Sequence, residues 1–535
     1  MVSGEVSTLT RRDNRVRTRD RHGRTRGPLL GEILEELGVI GAADALLGRY
    51  EQDFGDSRRL GEILIAQGRA TREQVTRALE IQRQASPAGI SHAFESALET
   101  ERPAWGTSTR RARNVQSVGM FVLAAAGIAV IAVASGGKGS WYGVGALTIL
   151  AIKLVGSAVY RPSTTGTTGT TAAPTGHRVA VIVSFYNEDP RAFLRCLESI
   201  QAQSRPADEI WVIDDGSSDD ICLRIARTAL LGTPGASIHR RPTNAGKRYG
   251  QAFAFARARC DILMTVDSDT VLDREAIAQG LVPFADPEVK AVAGTVRALN
   301  HRANLLTRLV DLRYANAFSF ERAAYSHVGS VVCCCGSLSF FRADVVRAQL
   351  EDFLSQTFLG VHIQYGDDRR LTQYALLAGK VVLQDTSVGY TLVPERLSHY
   401  RRQQLRWNKS FFRESLWALR RFGPRRWPFW ISLVELAVWL GFSASLLTAV
   451  YIHPLVTHHM IPWHYGAYAI VLAYARNVRY FGRPDETMAW QLSTFALAPL
   501  YALLHVILLT PLRLWALLTL RRTQWGTRGS VEVGL

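Results

Sequence analysis

Cysteine is scarce in this chain, with six in 535 residues, three of them consecutive at Cys333–Cys335. No spacing among them reads as a zinc ribbon or a disulfide framework, so reduced thiols in a cytoplasmic domain are expected. The first hundred residues are polar, and no secretory signal peptide is expected there. Acids are in short supply: 46 Asp and Glu against 63 Lys and Arg leave a formal charge of +17. Such a balance suits nucleic acid, an anionic membrane surface or an acidic substrate. Much of the excess falls in the arm Arg11–Arg26 and beside apolar runs, as at Arg420, Arg421, Arg425 and Arg426. That placement favours juxtamembrane anchoring and argues against a nucleic-acid partner. What the chain does have is apolar sequence in blocks. Hydrophobic residues make up 47% of it, and long apolar runs alternate with polar stretches. Its length suggests three or four units.

Residues 1–27 form a basic arm, disordered by composition. A helical module is expected at 28–84, because an internal repeat is visible there. LLGEILEELGVIGAADALLGRYEQ begins at Leu29 and RLGEILIAQGRATREQVTRALEIQ at Arg59. Both copies carry Leu-Gly-Glu-Ile-Leu, a second Gly seven residues after the first, and a closing Gln, which suits paired short helices. After a linker at 85–115, the segment 116–160 holds two apolar runs, Gly119–Ser135 and Trp141–Tyr160, each near membrane-spanning length. Arg110, Arg111 and Arg113 before the pair and Arg161 after it put both flanks in the cytoplasm. A Thr/Gly/Ala/Pro linker (161–177) leads into 178–396. There VAVIVSF, PRAFLRCLESIQAQS and EIWVIDD read as strand, helix, strand, and hence as an α/β domain with a parallel sheet. Residues 397–428 are amphipathic and basic and suit a helix pair at the membrane interface. In 429–522, Trp430–Ile452 is a clear span and Ile461–Ala475 a shorter one. Met488–Leu520, interrupted by Pro499 and Pro511, is one span plus an interfacial helix or two short spans, giving three or four in all. Return of the tail (523–535) to the cytoplasm favours two short spans.

Several motifs in the α/β segment carry chemistry, and each has a plainer reading. Asp214-Asp215-Gly216-Ser217 follows an apolar strand, where acids meet ligands at the carboxyl end of a parallel sheet; a turn with a helix cap accounts for the same residues. Asp267-Ser268-Asp269 places two carboxylates at another strand end, where together they can hold a hard divalent cation against a diphosphate; a solvated turn is the alternative. In Gly366-Asp367-Asp368-Arg369 one acid can serve as a general base, or the acids simply begin a helix. Gln403-Gln404-Leu405-Arg406-Trp407 offers a guanidinium for phosphate and a flat ring for a sugar, or an ordinary basic interfacial helix. Asn244-Ala245-Gly246-Lys247-Arg248 is a solvated loop or an anion clamp. Singly these decide little; in this order, in one α/β domain between membrane spans, they reinforce one another.

On these motifs, residues 178–528 resemble the processive family 2 glycosyltransferases, which include cellulose, chitin and hyaluronan synthases. Within that group they are most similar to bacterial hyaluronan synthases. The resemblance rests on NAGKRYGQAFAF, TVDSDT, NLLTRLVDLRYANAFSFERAA, GDDRRLTQYAL, QQLRWNKSFFRES, ARNVRYFG and APLYALLHVILLTPLRLWALLTLRRTQWGTRG. It implies a GT-A domain inserted between transmembrane helices, about six spans, and an active site over a pore. It further implies that Tyr186, Asp214 and Lys247 hold the UDP moiety. Asp267 and Asp269 would flank the diphosphate, with Asp269 coordinating Mg²⁺ or Mn²⁺. Asp368 would be the general base. Gln403, Arg406 and Trp407 would line the acceptor and diphosphate side, with Cys335 by the acceptor sugar, and Trp525 and Arg528 of Trp-Gly-Thr-Arg would approach the nucleotide. Two departures bear on the sugar. Ser337 stands where the family often has Pro, and the CCCG run is closer to rhizobial chitooligosaccharide synthases.

The resemblance thus implies inverting polymerisation of UDP-GlcNAc and UDP-GlcA, with the polymer passed across the bilayer. The localisation it implies is the plasma membrane, multi-pass, with catalytic domain and both termini cytoplasmic. A chitin or chitooligosaccharide synthase using UDP-GlcNAc alone stays open, as does a catalytically degenerate nucleotide sensor. The 28–84 module resembles the cyclic di-GMP-binding N-terminal domain of secretion and pilus ATPases. Arg59, Leu60, Gly61 and Gln82 match one motif copy, while Leu29 stands where the other copy would have Arg. A plain helical adaptor is the alternative.

Overall fold

A computed structural model describes residues 18–19, 25–26, 30–40, 58–85, 107–134, 136, 140–164, 176–448, 452–458, 463–481, 483 and 485–522. The chain divides into two compact units, Met1–Thr100 and Glu101–Leu535.

In the first unit the two repeat copies form α1 (Leu30–Glu36) and α2 (Leu60–Ala66), and α3 (Arg72–Ala85) follows the second. Both α1 and α2 are followed by a glycine with φ of +67°, Gly38 and Gly68. This left-handed backbone is the physical reason the repeat keeps a second glycine. Ile33, Leu34, Ile40, Leu64, Val75 and Ala78 form the small core. Gly61 is a packing residue, since a Cβ there would lie 2.7 Å from Val75 Cγ1.

The second unit opens with α4 (Thr107–Ala134) and α5 (Ser140–Val159), on the two apolar runs. The α/β segment is built on one eight-stranded sheet: β1 (Val179–Phe185), β2 (Glu209–Asp214), β3 (Ala236–Arg240), β4 (Ile262–Asp267), β5 (Thr270–Leu272), β6 (Val289–Ala298), β7 (Ser339–Arg342) and β8 (Lys380–Thr391). Their order is β3-β2-β1-β4-β7-β6-β8-β5. The first four are mutually parallel. β7 runs antiparallel to both β4 and β6, and β8 is parallel to β6 but antiparallel to β5. The sheet is therefore mixed, the GT-A arrangement, where the strand–helix–strand reading expected a parallel one. Strands buried on both faces read as continuous apolar runs, as β1 and β4 do; the four-residue β7 offers no such run.

Helices cover the sheet. α6 (Pro190–Gln201) starts at Asp189, whose side chain accepts from the Arg191 and Ala192 amides, and it buries Phe193, Cys196, Leu197 and Ile200. α7 (Lys247–Arg257) follows the Asn-Ala-Gly loop. α8 (Leu305–Ala315) continues into a π-helical turn, Asn316–Arg322. α9 (Asp367–Ala378) carries the Asp-Asp pair in its first turn. α10 (Leu397–Arg421) is a single 25-residue helix, not the expected pair. Nothing inside it breaks a helix, and the chain turns only at Phe422-Gly423-Pro424.

The helices after α10 include α11 (Trp427–Leu447), α12 (Trp463–Arg476), α13 (Met488–Phe495), α14 (Ala498–Leu504) and α15 (Thr510–Leu518), the last two joined by a π turn. Among the described residues three stretches are long and apolar enough to cross a membrane: Ser117–Ala134, Trp427–Ser445 and Ala498–Leu518. Met488–Leu520 is thus a short helix plus one long run, where the parity argument favoured two short spans. Both ends of that run are held by the α/β segment and α10. Before it, Arg308 Nε donates to Thr494 Oγ1 at 2.7 Å. After it, Lys409 Nζ and Arg413 Nη2 donate to the carbonyls of Arg522 and Leu520 at 3.1 and 2.9 Å.

Candidate active site

The carboxyl ends of β1, β2 and β4 and the first turns of α7 and α9 open onto one cavity of about 460 Å³. Tyr186, Lys247, Asp267, Asp269, Cys335, Asp368, Gln403, Arg406 and Trp407 all line it. Asp214 does not: it is fully buried under the loop, accepting from the Ser217 amide at 2.8 Å and pairing with Arg240 at 3.2 Å. Its neighbour Asp215 lines the cavity instead. Asp215 accepts from the Gly246 amide at 2.7 Å and from Arg241 at 2.9 Å, and so ties the Asp-Asp-Gly-Ser turn to the Asn-Ala-Gly-Lys loop. Gly216 makes this possible. Its φ is +76° and a Cβ would sit 2.6 Å from the Thr243 carbonyl carbon. Trp525 and Arg528 lie outside the described residues. The last described residue, Arg522, has its carbonyl within reach of the Tyr365 hydroxyl, 3.4 Å away in the loop before α9.

The two carboxylates of Asp267-Ser268-Asp269 are not in equivalent surroundings. Asp267 is engaged by Lys247 and accepts the Ser337 hydroxyl at 2.6 Å. Ser337, the departure from the family's proline, is therefore part of the site. Burial works to lower the Lys247 pKa, but Asp267, with Asp367 and Asp368, outweighs it and holds the ammonium charged. Gly336 leaves the clearance, since a Cβ there would stand 3.0 Å from Lys247 Nζ. Asp269 accepts from Thr391 Oγ1 at 3.2 Å. The donors at this strand end are hard oxygens. Among the described residues no three His, Cys, Asp or Glu side chains gather to hold a metal.

Asp368 sits where α9 begins, with the Arg369 amide donating to Oδ1 at 2.8 Å and Cys333 Sγ 3.8 Å from Oδ2. Burial, then the neighbouring Asp367 carboxylate, pushes its pKa up to about 6. That keeps it a usable base near neutral pH. Burial pushes the Cys335 thiol up to about 12, so it is a neutral wall by the site and no nucleophile.

On α10, Trp407 is 39% exposed and faces the cavity. Its ring lies 6.5 Å from that of Tyr314, and the Arg313 guanidinium stands 5.3 Å over it. Neither Arg313 nor Tyr314 was singled out from sequence. They fall in NLLTRLVDLRYANAFSFERAA, which entered only as a stretch that carries the resemblance, and spacing along a chain cannot say which polar residue meets a ring on another element. Beyond Trp407 the cavity runs on between the apolar helices, past Glu435, Trp439, Arg476, Tyr501, His505 and Arg513.

Comparison with known proteins gives the family. A model described as "Glycosyltransferase like family 2" matches residues 177–410. The chain is 37% identical over 404 residues to a hyaluronan synthase of Streptococcus pyogenes, covering 73% of this chain and 91% of that one. It is 33% identical over 383 residues to an N-acetylglucosaminyltransferase of Sinorhizobium fredii, covering 69% and 87%. Among solved structures, a mannosyltransferase from Pyrobaculum calidifontis in complex with GDP-Man and Mn²⁺ aligns at 18% identity with a TM-score of 0.45, over 74% of this chain and 99% of that one.

Proposed function

The chain belongs to the family 2 glycosyltransferases, and from that premise we propose that it is a processive, inverting synthase that polymerises UDP-GlcNAc and UDP-GlcA into a hyaluronan-like polymer and passes it across the membrane. The observation that carries this reading is the single cavity that joins the carboxylates at the strand ends to the apolar helices. A transferase that releases a one-sugar product has no need of such a continuation.

In the proposed reaction Asp368 takes the proton of the acceptor hydroxyl, whose oxygen attacks the anomeric carbon of the donor as the bond to UDP breaks. One displacement inverts the centre. Tyr186 and Asp215 face the nucleoside, with Asp214 holding the turn beneath them. Lys247 and Arg406 face the diphosphate. Trp407 offers a flat face to the acceptor sugar while Gln403 and Cys335 bound it. Asp269 would hold Mg²⁺ or Mn²⁺, with Asp267 beside it. The hard carboxylate oxygens of Asp267 and Asp269 at this strand end would suit such a cation. Such a cation supplies positive charge against the departing diphosphate. We place the protein in the plasma membrane, multi-pass, with the catalytic domain and both termini cytoplasmic. The arginines near the start of α4 and just after α5 support this, as does the return of the chain at Arg522 to the catalytic segment.

The test is to supply purified protein with UDP-GlcNAc alone and then with UDP-GlcA added. Long polymer only with both donors is expected. Polymer from UDP-GlcNAc alone would mean a chitin-like product, the second reading, which the Cys333–Cys335 run and the Sinorhizobium relative favour. For the N-terminal module we propose cyclic di-GMP binding through Arg59, which is exposed at the start of α2. Leu60 and Gly61 pack inward toward α3 and would shape the turn that presents it. Calorimetric titration of the full chain should show saturable binding that Arg59→Ala abolishes.

A further inference from the structure

The carboxylate of Asp269 is met by a side chain 122 residues further along the chain. Asp269 lies in the turn between β4 and β5, and Thr391 is the last residue of β8. β5 and β8 are antiparallel neighbours, and Thr391 stands opposite Thr270, the residue after Asp269. This register brings the Thr391 hydroxyl to the acid, where Oγ1 donates to Oδ1 at 3.2 Å. Thr391 is 5% exposed and lines the cavity.

The backbone that carries this hydroxyl is itself held on several sides. Thr391 pairs in parallel register with Ala298 of β6, and its carbonyl accepts from the Leu299 amide at 2.8 Å. Two residues on, the Asn300 side chain bonds both the amide and the carbonyl of Val393, each at 2.9 Å. Branching at Cβ leaves a threonine few side-chain positions. A hydroxyl fixed in this way can fix a carboxylate in turn. The two acids of Asp267-Ser268-Asp269 therefore receive partners of different kinds. Lys247 brings Asp267 a positive charge, whereas Thr391 brings Asp269 a neutral donor. A neutral donor orients a carboxylate and leaves its charge to attract a cation. The outer partner of a ligating carboxylate sets its aim, and so contributes to metal affinity without touching the metal.

We propose that Thr391 is a positioning residue for the donor's divalent cation: its hydroxyl holds the Asp269 carboxylate in the orientation that takes the cation, and so sets how tightly Mg²⁺ or Mn²⁺ binds with the nucleotide. The proposal rests on the reading of Asp269 as a cation ligand and deepens it.

The test follows Mn²⁺ by electron paramagnetic resonance as it is titrated into the full chain in lipid nanodiscs with UDP present. Thr391→Val removes the hydroxyl and keeps the branched shape, and it should weaken Mn²⁺ binding about tenfold, the lower end for the loss of an outer partner. Thr391→Ala should do the same, which keeps the test open if the valine variant does not fold. Thr391→Ser retains the donor and should recover most of the affinity. UDP binding measured without metal should stay within about twofold of wild type in all three, because the hydroxyl acts through Asp269. Mn²⁺ binding as tight in Thr391→Val and Thr391→Ala as in the wild type overturns the proposal. So does a serine variant as weak as the valine one, since strand packing and not the hydroxyl would then be responsible. Asp269→Ala separates the proposal from its premise. If Asp269→Ala still binds Mn²⁺, the cation reading fails and the positioning role with it. If Asp269→Ala loses Mn²⁺ while Thr391→Val and Thr391→Ala keep it, the cation reading stands and the positioning role alone fails.

Discussion

Replacing Asp368 with Asn removes the proposed base while keeping the side chain's size and its acceptor oxygen. Burial and the Asp367 carboxylate set the group's pKa at about 6, with Arg369 and Lys247 acting in the opposite direction. The reaction needs the ionised form, so the rate should fall as pH drops through that value. At pH 8 nearly every molecule carries the base. At pH 5 about one in eleven does, which is a roughly tenfold loss along a limb centred near 6. Asp367→Asn takes away the like charge and should move the limb toward lower pH. Asp368→Asn should lower polymer formation by about 10²–10⁴-fold, the usual range for a positioned base, with UDP binding retained. The assay is UDP release by the protein in membranes from pH 5 to 8, alongside equilibrium UDP binding. A flat profile over that range, or an Asp368→Asn rate above a tenth of wild type, would refute the reasoning.

Asp269→Ala should remove most activity together with its response to added Mg²⁺ or Mn²⁺; a variant whose residual rate still climbs with metal would place the cation elsewhere. Glu414 joins α10 to α9 through a buried pair with Arg370 at 3.0 Å and also accepts from Gln356 at 2.6 Å. Glu414→Ala leaves the buried Arg370 guanidinium with only the more exposed Asp352 carboxylate, 3.5 Å away, and should destabilise the fold by about 3 kcal/mol, measured by thermal unfolding in detergent. A Cβ at Gly280 would stand 2.2 Å from the Phe340 ring. Gly280→Ala should therefore cost about 1–3 kcal/mol by overpacking, and an unchanged melting temperature would contradict the packing described.

The sequence by itself determined the class of enzyme and picked out most of the residues that line the candidate cavity. Acids at the ends of apolar strands, an Asp pair opening a helix and Gln-x-x-Arg-Trp on a basic helix are local patterns, and local patterns survive translation into structure. The repeat in the N-terminal module was equally legible, because its second glycine answers to a left-handed backbone at Gly38 and Gly68. Three matters were decided only by the tertiary structure. Which of two adjacent acids faces the ligand depends on how the chain leaves β2: Asp214 turns into the interior and Asp215 into the cavity. The antiparallel insertion of β7 between β4 and β6 is a long-range pairing that a four-residue strand cannot announce. The course of Ala498–Leu518 was also hidden, because an apolar run states that burial is needed without saying against what. Bonds from Arg308 at one end and from Lys409 and Arg413 at the other settle that the catalytic segment holds both. Periodicity and composition are properties of neighbours along the chain, whereas the pairing of β7 and the burial of Asp214 are properties of neighbours in space.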